Sequence, residues 1–98
     1  MTQDEHHQII ATKRPLDHKY MIASEAYHLL GELSRTEDLC HVNAETDNYY
    51  VGMWVTGFGF FNVLFPKDTT RELTDAEREY WNKKYIQIGS QPAQKLSV

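Results

Sequence analysis

The sequence predicts an α+β fold: a three-stranded antiparallel β-meander flanked along the chain by two helices. Three observations carry this expectation. Residues 39–65 are rich in Val, Tyr, Trp and Phe and are broken by two turn signals, as in a meander. Thr74-Asp75-Ala76-Glu77 is a capping box that opens a helical run. Ile22, Ala26, Leu29, Leu30 and Leu33 recur at the spacing of one helix face. With 98 residues and 41% hydrophobic content, the chain can bury one core, so a single domain over 8–88 is expected.

Taken in order, residues 1–7 are polar and acidic and read as a disordered leader. The short apolar run Ile9-Ile10-Ala11 before Pro15 suits either an added N-terminal edge strand within 8–14 or a segment packed on the core. A helix follows over about 17–35, with Asp17 as N-cap and Tyr20, Ala23 and Tyr27 widening its apolar face. Strands are expected over about 39–46, 49–56 and 60–66, then a helix over about 74–86. Ala76, Tyr80, Trp81, Tyr85 and Ile88 form that helix's apolar stripe. Residues 89–98 read as a flexible tail.

Register decides which side chains share a face. A two-residue turn at Asp47-Asn48 pairs Ala44 with Val51, Val42 with Met53 and Cys40 with Val55. A three-residue loop at Gly57-Phe58-Gly59 pairs Val55 with Phe61, Met53 with Val63 and Val51 with Phe65. These pairings gather one apolar face, to be covered by the first helix. The opposite face then holds His41, Asn43, Glu45, Tyr50, Trp54, Phe60, Asn62 and Leu64. Gly52 leaves a dip between Asn43 and Leu64, and Phe58 stands at the loop tip.

That second face is the candidate binding surface, because interfaces favour Trp, Tyr and Phe at their centres. If the second helix covers it instead, Trp54, Phe60 and Leu64 become a second layer of core. A sharper variant is a small-molecule pocket or minor enzyme centred on His41, Glu45, Tyr50 and Trp54, where an imidazole near a carboxylate suits acid–base work.

Other classes are excluded on stated grounds. His6 and His7 beside Asp4 and Glu5 do not converge on a metal, and neither HExxH nor CxxC occurs, so no metal site and no cofactor are expected. The His28–Glu32 pair is ordinary helix-surface spacing. Gly57-Phe58-Gly59 joins two strands and lacks a following lysine, so it is turn chemistry rather than a phosphate loop. A net charge of −4, without a basic cluster, argues against nucleic acid and anionic membranes. No apolar stretch reaches spanning length and no signal-peptide pattern opens the chain, which sets a cytoplasmic expectation. The lone Cys40 permits no internal disulfide and is expected as inert core packing. The resulting expectation is a non-enzymatic protein-interaction or regulatory module. It would act through the aromatic face, on a protein partner or as a homodimer.

Overall fold

The structure, a computed structural model, describes residues 1–57 and 59–84. Its class is α+β. Helix α1 (Gln3–Ile10) is followed by strands β1 (Arg14–Ala23), β2 (Tyr27–His28), β3 (Gly31–Glu32), β4 (Asp38–Glu45), β5 (Tyr49–Trp54) and β6 (Val63–Pro66), a 3-10 turn (Lys67–Thr69) and helix α2 (Asp75–Lys84). The six strands form one antiparallel sheet in the order β1-β4-β5-β6-β2-β3. The expected meander is its centre.

The connection from β1 to β2 dictates the shape of this sheet. Ala23 and Tyr27 lie four strand neighbours apart, yet only residues 24–26 join them. In a flat sheet, four steps of about 4.8 Å would place them about 19 Å apart. The linking chain reaches at most about 14 Å. The sheet therefore curls into a partly closed barrel, and Ala26 is fully buried in the link that crosses its opening.

The interior cluster draws Met21 and Ala23 from β1, Cys40 and Val42 from β4, Trp54 from β5, and Val63 and Phe65 from β6. On the outer face two separate clusters form, each under a helix. Ile22, Leu39 and Leu73 pack with Trp81 of α2, while Ala44, Val51 and Leu64 pack with Ile9 and Ile10 of α1. The segment before α2 also bonds the free edge of β1, through Ile22 N to Arg71 O at 2.8 Å and Arg71 N to Ile22 O at 2.9 Å. An edge covered in this way is shielded from pairing with another chain.

Several expectations are corrected. The helix over 17–35 does not form; that stretch supplies β1, β2 and β3. Its helical spacing is coincidental, since Met21 and Ala23 point into the barrel while Tyr20 and Ile22 face outward. A strand buried on both faces shows no apolar–polar alternation. The leader expected over 1–7 is largely helical: Thr2 Oγ1 accepts from Glu5 N at 3.1 Å and Glu5 Oε1 accepts from Thr2 N at 2.8 Å, a second capping box. Residues 8–10 continue that helix, so no edge strand starts there, and β1 itself begins at Arg14.

Register differs by one residue at two places. Ala44 pairs with Val51 around Asp47-Asn48 as expected, but an irregularity between Val42 and Ala44 then pairs Val42 with Gly52 and Cys40 with Trp54. Asn43 is the extra residue, a β-bulge. On the other side Gly52 pairs with Val63 and Val51 with Leu64, instead of Met53 with Val63 and Val51 with Phe65. Pairing of β5 with β6 stops at Gly52, so residues 55–62 make a longer connection than three residues. The helix over 74–86 is found over Asp75–Lys84, with its capping box formed. Phe58, Tyr85, Ile88 and the 89–98 tail lie outside the described residues.

Candidate functional site

The expected second face does not exist as one surface. Trp54 is buried in the barrel, 4% exposed, with its ring against Phe65 and its Nε1 donating to Leu33 O at 2.9 Å. His41 lies on the outside of the sheet, where it meets His18. The two therefore project from opposite faces and cannot line one pocket. Leu64 is fully buried beneath α1, and Phe60 packs back against the interior cluster. Asn43 is exposed at the bulge of β4. Asn62 adopts a left-handed φ of 57° in the turn before β6. Glu45 and Tyr50 do stay together at one mouth of the barrel. There Lys67 Nζ reaches Glu45 Oε1 at 2.8 Å and lies 5.1 Å from the Tyr50 ring centre. The Lys67 ammonium holds the Glu45 carboxyl below its usual range.

The dip expected at Gly52 is filled by backbone. A Cβ at this position would overlap the carbonyl oxygen of His41 and stand 2.7 Å from Val42 Cα. Gly52 is thus the point where the bulged β4 leans onto β5. Cys40 is core packing as expected: it is fully buried, and burial pushes its thiol up to about 12.

Three depressions are lined by described residues. One of them, about 730 Å³, runs between α1 and the β5–β6–β2 part of the sheet. Its floor includes Ile9, Tyr27, Tyr49 and Pro66, and its rim carries Glu5, Glu25 and Asp68. Every side chain in this lining that is charged at neutral pH is a carboxylate. Tyr27 Oη donates to Glu25 Oε2 at 2.9 Å, which raises the phenol's pKa and fixes its ring beside the carboxylate. Helix α1 supplies Glu5 and Ile9 from adjoining turns, β2 supplies Tyr27, and β5 supplies Tyr49. The sequence hid this assembly, because Tyr27 and Glu25 fell within the expected helix and Glu5 within the expected leader. Only its acidic balance was visible in the composition.

A second depression of about 380 Å³ lies at the other side of α1, around His6, His28, Phe60 and Phe61. His6 is 1% exposed; its Nε2 bonds Asn62 O at 2.9 Å, and its Nδ1 has no partner. His28 Nδ1 accepts from Leu30 N at 3.2 Å, and its ring stacks 5.1 Å from Phe60. Burial, followed by the neighbouring His6, pulls the His28 pKa down. The third depression, about 170 Å³, is bounded by Leu33, Arg35, Trp54 and Phe60. The Arg35 guanidinium lies 4.5 Å from the Trp54 ring centre and is held by Asp38 at 2.7 Å and by Thr56 O at 2.9 Å. Its hydrogen-bonding capacity is largely spent within the fold.

Among the described residues, no three His, Cys, Asp or Glu side chains converge as a metal site. No described helix is long and apolar enough to cross a membrane. Comparison with known proteins finds no matching family model, no matching curated protein and no matching solved structure.

Proposed function

We propose that the chain is a small interaction module, and that its docking surface is the groove between α1 and the sheet rather than an aromatic sheet face. Its partner is a protein segment carrying lysine or arginine. The observation that supports this reading is the pairing of two tyrosine rings with three rim carboxylates in a groove of about 730 Å³. Aromatic faces attract ammonium and guanidinium groups. Tyrosine is enriched at interface centres, and charge complementarity favours encounter with a basic partner over an acidic one.

Anisotropy of a labelled lysine- and arginine-rich peptide tests it, with an acidic peptide of equal length as control. Binding to the basic peptide that weakens with salt is expected. A Glu25→Gln, Asp68→Asn double variant should bind about tenfold less tightly, as removal of two partly solvated charges implies. Equal binding of both peptides, or no change in the double variant, would sink the reading.

Self-association is the second reading, favoured by a different observation. Leu30 and Phe61 are 65% and 71% exposed, and both adjoin His28, whose Nδ1 accepts from Leu30 N and which lines one depression with Phe61, so two solvated apolar side chains sit on neighbouring turns. A native mass spectrum of the purified chain decides it. A dimer lost in Phe61→Ser supports the reading, and a monomer throughout removes it.

A further inference from the structure

We propose that His18 and His41 form a two-histidine chelate for a divalent transition-metal ion, copper(II) foremost. This site is independent of the groove. In the β1–β4 pair, Tyr20 stands directly opposite His41. His18 lies two residues before Tyr20, on the same face, and so is the diagonal neighbour of His41. Both strands are irregular here: register shifts between Pro15 and Lys19 in β1 and between Val42 and Ala44 in β4. Facing irregularities of this kind re-aim side chains away from ordinary strand directions.

The outcome is a nitrogen pair at ligand spacing. His41 Nε2 and His18 Nδ1 are 3.1 Å apart, with ring centres at 5.0 Å. Two imidazole nitrogens about 2.0 Å from one ion stand about 2.8 Å apart at a right angle and about 3.3 Å apart at a tetrahedral angle. The observed separation falls between them, so one ion can reach both nitrogens once each ring turns its lone pair about 40° off the line that joins them.

In the metal-free pair, one of these nitrogens carries the hydrogen shared between them. On chelation that hydrogen moves to the second nitrogen of its own ring, and no net proton is lost from the neutral pair. The Tyr20 ring, 4.9 Å from His41, backs the imidazole.

His18 is exposed, so an ion has direct access and its remaining positions stay open to water or to a donor from a partner. Two donors make an exchangeable site rather than a closed structural one. Nitrogen ligands in an open geometry bind copper(II) above nickel(II) and zinc(II) in the order of intrinsic affinities.

The test is a copper(II) chloride titration in a non-chelating buffer, read by electron paramagnetic resonance, on the parent chain and on His18→Ala, His41→Gln and His7→Ala. One tight equivalent with nitrogen coupling is expected in the parent and in His7→Ala. At least tenfold weaker binding is expected in His18→Ala and in His41→Gln. His18 is exposed, so its variant decides the matter should His41→Gln disturb the fold. If His18→Ala binds as the parent does, or the signal vanishes in His7→Ala instead, the assignment is overturned.

Discussion

His6 and His28 stand edge to face, 5.6 Å apart; His6 Nε2 bonds Asn62 O at 2.9 Å, and the His28 ring lies 5.1 Å from that of Phe60. Between them they tie α1 and β2 to the connection before β6.

A pH dependence follows from His28. Its folded pKa lies below the ordinary 6.5, chiefly through burial. Its contribution to stability is therefore complete above 6.5. As pH falls through 6.5 towards the folded value, the unfolded chain takes up the proton first and stability declines. The urea midpoint should be lower at pH 5.5 than at pH 7.5, and His28→Gln should flatten that difference. An unchanged pH slope in His28→Gln would remove this account.

Trp54→Ala should destabilise by about 3–5 kcal/mol, since it empties a buried indole site. It also leaves Leu33 O without its donor and Arg35 without its aromatic platform. Trp54→Phe should recover much of that loss but not the hydrogen bond. Chemical denaturation of both variants checks the order, and near-parent stability of Trp54→Ala would place the ring outside the core.

Gly52→Ala is the smallest change expected to cause large harm. The added methyl group meets the backbone of His41 and Val42, not the tip of a movable side chain. A loss of about 1–3 kcal/mol is expected from overpacking. Val42 and Gly52 amide exchange should quicken in proportion. Parent-like exchange at both amides would show that β4 and β5 are not in close approach.

Helix α2 has no buried residue among those described. Arg71 bonds Glu77 through two nitrogens at 2.8 Å and reaches Glu37 at 3.0 Å. Arg71, and then the Thr74 amide, pull the Glu77 carboxyl down to about 2. That support is complete above the ordinary carboxylate value of 4.5 and is lost as pH falls from there through about 2. Glu77→Ala should cost about 1 kcal/mol, the usual value of a lost cap. It should also shift Trp81 emission to the red in a Trp54→Phe background. Unshifted emission would mean that α2 docks without this carboxylate.

What the sequence made legible was local. The Thr74–Glu77 box, the Asp47-Asn48 turn and the alternation around Val51 are encoded within a few residues, and each is found. The rest depended on partners far along the chain. Tyr20, Met21 and Ile22 become a strand only because residues 39–41 pair beside them, and the bulge at Asn43 then brings Cys40 and Val42, rather than His41, to the side of the sheet that holds Trp54. The expected site failed at that bulge, since one extra residue moves every later side chain of the strand to the other face. Of the expected site, Tyr50, Trp54 and Phe60 meet at the interior cluster with Glu45 paired to Tyr50, while His41 is on the opposite face. Glu25 and Tyr27 belonged to no expected strand, so the tyrosine groove could not be assembled from spacing alone.

The three-residue link across the barrel opening bears on how the chain reaches its fold. Strands β1 and β2, adjacent in sequence, do not pair with each other: β1 pairs with β4, while β2 pairs with β6 and, as a short hairpin, with β3. The β4–β5 hairpin is joined across the short Asp47-Asn48 turn, whereas β1 must close a longer loop to pair with β4. Such non-local pairing places the chain among slower-folding small domains. Closure is then a late event, and a partly folded chain still exposes the edges that the finished barrel hides.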